Sequence, residues 1–272
     1  MRTRLGKPYR PTVERERLYQ RVLELRKAGH SYNQIIAMIK AESGVTLRKS
    51  HLYGWINRKH RPFGYVVAFD PTPTPELAYV IGVNLGDAST SDSRNYNHKI
   101  KLRVTDKEFA AEFARCLGLL LHRTPPRVKW HEKTHSWHAE LSSLLLQKFL
   151  RQDLRELVPI VSHCNECKAA FLRGFFDSEG SISGRSFTVS NSNLELLKIT
   201  CRLLHSLGIE TTGTHLASKG GRTVMIKGRF YRQNEDMHYV RVRSKCLDKF
   251  QEVVGFSIRR KSIALSIALD RT

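Results

Sequence analysis

Two acidic residues stand at equivalent places in two similar stretches of the sequence, and they have the clearest capacity for chemistry. Asp87 follows the apolar run Val-Ile-Gly-Val-Asn-Leu-Gly, and Glu179, 92 residues later, follows the run Leu-Arg-Gly-Phe-Phe-Asp-Ser. Buried carboxylates are costly unless they are paired or bind a cation, so an acid in both copies favours a divalent-metal site. The alternative is a pair of buried helices in a duplicated fold without chemistry.

Each stretch is predicted to be a helix with small residues four positions apart. These are Gly82 and Gly86 in the first copy, and Gly174 and Ser178 in the second. Residues four apart share a helix face, and small residues there let two helix backbones approach closely. If the two helices pack on each other, the two acids meet at one end of the pair.

The paired stretches resemble the LAGLIDADG motif, and residues 75 to 268 resemble a two-motif, single-chain LAGLIDADG homing endonuclease. The resemblance implies an α+β fold, in which two pseudo-symmetric αββαββα units form a saddle with antiparallel sheets. It also implies an intron-encoded, site-specific DNA endonuclease that makes a staggered double-strand break by metal-dependent hydrolysis. Such a protein acts as a monomer on double-stranded DNA with a long asymmetric target site.

The resemblance assigns the cofactor and its ligands. Asp87 and Glu179 would each bind Mg²⁺, for which Mn²⁺ could substitute, with help from the backbone carbonyls of Gly86 and Ser178. In such enzymes the ions activate water and stabilise the leaving oxygen.

A basic side chain often assists catalysis in this family, and Lys261 matches its usual place best. Arg259 and Arg260 are alternatives. The first unit has no clean equivalent, and Lys168 is the nearest candidate. An ordinary surface lysine is the competing interpretation of Lys261.

The charge of the chain predicts a polyanionic partner. Its 272 residues contain 46 Lys and Arg against 25 Asp and Glu, a formal net charge of +21. DNA is the expected partner, with intron RNA as a further one, and no membrane is expected because no apolar run approaches the roughly 18 residues of a spanning helix. Five cysteines without a secretory signal favour reduced thiols in an intracellular protein of the cytoplasm or nucleoid.

Alternation in the strand predicted at residues 98–104 places three apolar residues on one face and three cations on the other. Phosphate contacts from such cations would supply much of the affinity for DNA. The candidates for DNA binding are Lys99, Lys101, Arg103, Lys129, Arg185, Lys227, Arg229, Arg241 and Arg243.

Residues 1–70 are predicted to form a separate helix-turn-helix-like DNA-binding module, with 15 Lys and Arg against 5 Asp and Glu, a net +10. Three helices are expected, the second capped by Ser31 and ended by Gly44, and the third capped by Ser50. A small helical bundle with solvated charges is the alternative. In the helix-turn-helix interpretation the third helix enters the major groove. Its base readers or phosphate contacts would be His51, Tyr53, Asn57, Arg58 and Lys59.

The predicted boundaries follow composition and repetition. A Pro-rich linker at 71–76 precedes a first LAGLIDADG unit at 77–160 and a second at 161–272. Within them, a helix is predicted to end at Gly118 and a single strand to cover 223–230. Cys164 and Cys167, after His163, are interpreted chiefly as a plain loop ahead of the second motif helix, because zinc usually takes a second ligand pair. A disulfide is the alternative if the source is a hyperthermophile.

Two other functions fit the same pattern. One is a non-cutting transcriptional regulator on a degenerate LAGLIDADG core, and the other is an intron-splicing maturase that binds RNA. Regulators of this kind usually lose the acids, whereas this chain has both Asp87 and Glu179. An assay for DNA cleavage distinguishes the endonuclease hypothesis from the regulator and maturase hypotheses.

Overall fold

The polypeptide divides into two units, Met1–Val66 and Val67–Thr272. The computed structural model describes residues 12–59, 68–93, 97–184, 186–226 and 228–270. No helix in these ranges is both long enough and apolar enough to cross a bilayer.

Three helices form the described part of the first unit. Local sequence explains the ends of the second helix, because Ser31 and Gln34 form a reciprocal capping box and Gly44 adopts a left-handed φ of 70°. Both predicted ends are therefore confirmed. The predicted cap of the third helix at Ser50 is wrong, because the cap is Arg48, two residues earlier, and the helix begins at Lys49. The helices are α1 (Thr12–Lys27), α2 (Tyr32–Ser43) and α3 (Lys49–Ile56).

These helices enclose a small apolar core of their own. Each contributes residues at helical spacing on one side, so the module has a hydrophobic centre without help from the rest of the chain. The core residues include Leu18, Val22, Leu25, Ile35, Ile39, Leu52 and Trp55.

The second unit opens with the first repeat. Its first helix begins at Pro75, inside the predicted linker, because Thr74 caps the helix and proline is well tolerated in the first turn. The elements are α4 (Pro75–Asn84), β1 (Ser89–Ser93), β2 (Asn97–Val104), α5 (Lys107–Leu120), β3 (Lys129–His131), β4 (Ser136–Ser142), α6 (Leu144–Leu150) and α7 (Leu154–Val161).

The second repeat follows the same order, with one additional hairpin. Its elements are α8 (Asn165–Glu179), β5 (Gly180–Ser183), β6 (Ser186–Asn191), α9 (Leu194–Ser206), β7 (Thr211–Ser218), β8 (Arg222–Ile226), β9 (Arg229–Gln233), β10 (Met237–Val242), α10 (Leu247–Val253) and α11 (Arg259–Leu269).

The two four-stranded sheets have the same topology. The first has the order β1-β2-β4-β3 and the second β5-β6-β10-β7, with antiparallel neighbours throughout. Helix α5 packs on the first sheet and α9 on the second, while α4 and α8 pack on each other. The α+β duplication expected from the sequence is therefore confirmed.

Two local predictions are wrong. Gly118 lies inside α5 rather than after it, and its lack of a side chain makes room for Pro125, whose Cα would lie 2.9 Å from an added methyl group. The strand predicted at 223–230 is the hairpin β8–β9, which turns at Gly228 with a φ of 74°. Strand β7 was not predicted, because its many threonines and polar residues hide the alternation.

Candidate active site

Glycines let α4 and α8 pack backbone to backbone. A methyl group added at Gly82 would collide with the carbonyl oxygen of Phe171 and lie 2.9 Å from the amide nitrogen of Phe175. One added at Gly174 would collide with the carbonyl oxygen of Tyr79. Since the obstacles are backbone atoms, no side-chain rearrangement relieves them, and both positions require glycine. The close approach predicted from the small-residue spacing is confirmed.

The two motif segments also lie close together at the end that carries Asp87 and Glu179. A methyl group added at Gly86 would lie 2.7 Å from the hydroxyl oxygen of Ser178 and 3.4 Å from Cγ of Glu179. Asp87 follows Gly86 directly in the chain, so both acids lie at one junction. The two carboxylates also influence each other electrostatically, since Asp87 contributes to the raised pKa of Glu179.

The two acids reach this junction by different local routes. Glu179 is the last residue of α8, which leads at once into β5. Helix α4 stops at Asn84, three residues before Asp87, and the amide of Ala88 donates back to the carbonyl of Val83 at 2.9 Å. The helix predicted to reach Asp87 therefore ends early, where Gly86 weakens helix formation.

Both acids hold protons more tightly than ordinary carboxyl groups. Burial, followed by the charge of Asp87, raises the pKa of Glu179 to about 7, while a hydrogen bond from Asn191 at 3.3 Å acts in the opposite direction. Asp87 is open to solvent on one side, but the protein packed around its other sides raises the pKa of its carboxyl group, and Lys261 partly offsets this. The junction thus concentrates negative charge without full compensation.

Lys261 is buried beside the acids and contacts the backbone of α8. Its residue is 7% exposed, and its Nζ donates to the carbonyls of Phe176 at 2.9 Å and Asp177 at 2.6 Å. Burial lowers the pKa of Lys261 to about 8, although the charge of Asp177 opposes this. The ammonium group therefore holds the last turn of α8, which positions Glu179. A direct contact with attacking water stays a prediction.

Arg260, the neighbouring alternative, is used elsewhere. Its guanidinium group makes two hydrogen bonds to Asp106, at 2.7 and 2.8 Å, and so links α11 to the start of α5. This pair joins the two repeats, which favours a structural role for Arg260.

A buried polar network behind the acids was not predicted from the sequence. Asp177 is 2% exposed and accepts hydrogen bonds from the Tyr79 hydroxyl at 3.1 Å and from the Ser257 amide at 3.0 Å. It ties α8 to α4 and to the loop before α11. Burial raises the pKa of Asp177 to about 6 despite these bonds. The available signal was a carboxylate two positions before Glu179, directly after the apolar pair Phe175 and Phe176.

Asn84, the polar residue of the first motif, bonds away from the helix pair. Its amide donates to the carbonyl of Leu150 at 3.1 Å, at the end of α6. The amide of Asn84 therefore links α4 to α6 within the first repeat.

The exposed face of the first sheet carries four of the nine predicted DNA-binding cations of the two repeats. Lys101 lies opposite Glu140 in the strand register, and Arg103 lies opposite His138, which also faces Lys129. Paired residues of an antiparallel sheet point to the same face, so one surface presents these side chains together. Lys99 also lies on it and forms an ion pair with Glu140, so this face is predominantly rather than wholly cationic.

The exposed face of the second sheet is less charged than expected. Arg241 is the one Lys or Arg on the described side chains of its four strands, opposite Thr188. Tyr239 stacks on His215 with ring centroids 5.3 Å apart. Arg243 lies past the end of β10 and forms an ion pair with Glu210 at 3.6 Å. Arg185, Lys227 and the side chain of Arg229 lie outside the described part of the chain.

The predicted readers of the N-terminal module lie together around the end of α3. Tyr53 is exposed, and the Lys59 ammonium group lies 4.7 Å from the centre of its ring. Asn57 caps the helix by donating to the carbonyl of Tyr53 at 2.8 Å, and Arg58 has a positive φ of 55°. Base reading by these residues stays a prediction.

Comparisons with known proteins agree with this geometry. The family described as LAGLIDADG-like domain matches residues 166–255, which contain the second acid. The uncharacterized protein MJ0398 of Methanocaldococcus jannaschii is 34% identical over 252 residues, 92% of each chain. MJ0314 of the same organism is 28% identical over 149 residues, which cover 56% of that protein.

Solved structures share the fold at lower identity. I-DmoI in complex with DNA and Mn has a TM-score of 0.50 at 17% identity, over 66% of this chain and 96% of that one. I-DmoI in complex with DNA and Ca has a TM-score of 0.51 at 15% identity, over 71% and 97%. The fold and the paired motif helices define a protein of the LAGLIDADG saddle type. This chain belongs to the same family as MJ0398, and it contains a LAGLIDADG-like domain at residues 166–255.

The raised pKa of Glu179 predicts how pH affects stability in the absence of metal. The folded state holds this proton more tightly than the unfolded state, whose carboxyl group has a pKa near 4.5. Its stabilising contribution is therefore complete below about pH 4.5 and is lost as the pH rises through about 7. We expect the Tm in EDTA to fall across this window, and to fall less in Glu179→Gln.

Thermal denaturation at closely spaced pH values checks this expectation. The control is Glu195→Gln, an exposed acid on α9 that forms only surface ion pairs. An unchanged difference between wild type and Glu179→Gln at every pH would contradict the linkage.

Proposed function

We propose that this protein is a site-specific DNA endonuclease that makes a staggered double-strand break by metal-dependent phosphodiester hydrolysis, and that it is encoded within an intron. The observation that carries the proposal is the meeting of Asp87 and Glu179 at the junction of α4 and α8, each with a raised pKa. The paired acids distinguish this site from a packing surface between two core helices.

The donor atoms at the junction fit a hard divalent cation. Asp87 and Glu179 offer carboxylate oxygens, and the carbonyls of Gly86 and Ser178 are the adjacent backbone donors. Oxygen ligands of this kind suit Mg²⁺ and Mn²⁺. Burial and then the charge of Asp87 raise the pKa of Glu179, and a cation at the junction would relieve both effects by stabilising the charged carboxylate.

A bound divalent ion supplies Lewis acidity at the scissile phosphate and lowers the pKa of a water ligand. The chain supplies the positioning. Asn191 orients the carboxylate of Glu179, and Lys261 holds the last turn of α8 in place. Each acid serves mainly one strand of the duplex, which gives two offset cuts.

Binding of DNA rests on the exposed sheet faces. Lys101, Arg103 and Lys129 form a cationic surface on the first repeat, while the second repeat offers Arg241 with the polar and aromatic side chains around Tyr239. This difference suits an asymmetric target, because the two half-sites would meet surfaces of different chemistry. We propose further that the protein acts as a monomer on double-stranded DNA inside the cell.

A cleavage screen tests the proposal directly. Purified protein is incubated with Mg²⁺ and a pool of random DNA duplexes enriched in candidate host-gene junctions, and the cut ends are sequenced. We expect recurrent staggered ends at one site, none in EDTA, and binding without efficient cutting in Ca²⁺. Binding of DNA or intron RNA without any cleavage would contradict the endonuclease assignment and favour a regulator or a maturase.

Removal of the N-terminal module is expected to weaken binding but preserve cleavage. The module has its own apolar core, so a chain that starts near Thr72 keeps all the buried residues of the second core and loses only Phe69, which packs at its edge. Linking a second binding module raises the effective concentration of its contacts, and fewer neutralised phosphates give a shallower salt dependence. Footprinting and binding at several salt concentrations should show a shorter footprint and a smaller slope. If both are unchanged, the module does not contact DNA.

A further inference from the structure

Three metal-ligating side chains meet at the turn between α7 and α8. They are His163, Cys164 and Cys167, whose ligand atoms all lie within 4.8 Å of one another. His163 is exposed, Cys164 is half-buried and Cys167 is 1% exposed. No part of the proposed nuclease chemistry uses this cluster.

The local backbone fixes the cluster. Cys164 is the N-cap of α8, and its Sγ accepts a hydrogen bond from the amide of Cys167 at 3.4 Å. Ser, Thr, Asp and Asn are the usual residues at this position, so the thiol stands where an oxygen is more common. His163 closes the end of α7 by donating its amide to the carbonyl of Ile160 at 3.4 Å.

We propose that His163, Cys164 and Cys167 bind a structural zinc ion. Two thiolates and one imidazole form a donor set that zinc takes in tetrahedral geometry, with Zn–S bonds of about 2.3 Å. Water or the carboxylate of Glu166, two residues after Cys164, would take the fourth position. The sequence predicted a plain loop at this place. The structure brings His163 beside the two cysteines, so that three potential zinc ligands form a cluster.

A zinc ion at this place would act as a clamp and take no part in hydrolysis. It joins the last helix of the first repeat to the motif helix of the second. Glu179 lies at the other end of α8, about 22 Å away for a helix of 15 residues at a 1.5 Å rise. Magnesium and calcium prefer oxygen ligands, so the cluster and the acids would select different ions.

A redox-active dithiol is the competing role for the two cysteines. Cys167 is 1% exposed, so a thiol or disulfide of another molecule has little access to its sulfur. Reactive dithiols keep at least one accessible sulfur. A zinc site would also use His163 as a ligand, whereas a redox-active dithiol would not require it.

The proposal is tested on the full chain kept reduced throughout. Zinc content is measured in protein purified without chelator, and Co²⁺ is then titrated into metal-free protein. Thiolate ligation of Co²⁺ produces a sulfur-to-metal charge-transfer band in the near ultraviolet. We expect about one zinc per chain, a band that saturates at one equivalent, and a higher Tm with zinc.

The decisive variant is Cys164→Ser, because serine keeps the N-cap hydrogen bond while removing the thiolate. We expect its zinc affinity to fall by more than about 100-fold, beyond the loss typical of an outer-shell partner. Cys201→Ser, a half-buried cysteine outside the cluster, is the matched control and should keep the band. Asp87→Asn should keep it as well, which separates this site from the acids.

Either of two results would overturn the proposal. One is metal-free wild-type protein that shows no charge-transfer band with Co²⁺. The other is a band of equal intensity in Cys164→Ser. Both leave the proposed nuclease untouched, because they report on thiolates alone.

Discussion

Asp87→Asn and Glu179→Gln are each expected to abolish double-strand cleavage while leaving DNA binding nearly unchanged. Each variant removes a charged oxygen ligand from the junction of α4 and α8 and keeps the shape of the side chain. Loss of a metal ligand costs several kcal/mol of transition-state stabilisation, or roughly 1,000-fold in rate at about 1.4 kcal/mol per tenfold. The phosphate contacts lie on the sheet faces, so affinity should fall little.

Plasmid linearisation over time measures the chemical step, and gel shift in Ca²⁺ measures binding. Glu195→Gln makes the same chemical change on the exposed surface of α9 and should cut at the wild-type rate. Full linearisation by either acid variant would remove that acid from the mechanism. A matching loss of binding would indicate a structural role instead.

The sequence predicted the central site because its signal is local and duplicated. Small residues four apart and an acid at the end of each run need no tertiary information, and the structure packs Gly82 and Gly174 against the opposite backbones. The order of helices and strands followed from caps and alternation in the same way. Such features depend on a few neighbouring residues, so they can be inferred without knowledge of the fold.

The missed features depend on contacts between distant residues. Asp177 bonds Tyr79, 98 positions away in the chain, and Lys261 reaches the carbonyl of Phe176 across 85 positions. No periodic pattern in the sequence predicts either hydrogen bond. The sequence predicts a helix end at Gly118 because glycine often ends helices. In the structure the glycine instead leaves room for Pro125, which a side chain at position 118 would contact too closely. This role of Gly118 depends on a contact with Pro125 that the local sequence does not specify.

Gly82→Ala is expected to destabilise the second unit severely, although alanine is a better helix former than glycine. The added methyl group would collide with the carbonyl oxygen of Phe171 and lie 2.9 Å from the amide of Phe175. Ordinary overpacking costs about 1–3 kcal/mol, and here the obstacle is backbone, so we expect the free energy of unfolding to fall by about 3 kcal/mol or more. That corresponds to a Tm lowered by roughly 6–12 °C.

Gly86→Ala supplies the sharper test, because its obstacle is a side chain. The new methyl group would collide with Ser178, whose hydroxyl oxygen would be 2.7 Å away, and Ser178→Gly removes that side chain. Ser178→Gly alone should destabilise, since it loses the bond to the carbonyl of Gly174 at 3.1 Å and adds a glycine to α8. We nevertheless expect the double variant to be more stable than Gly86→Ala. Chemical denaturation of the four proteins gives the coupling energy directly. Additive losses would mean that the two motif helices do not pack as closely in solution as Gly86 and Ser178 require.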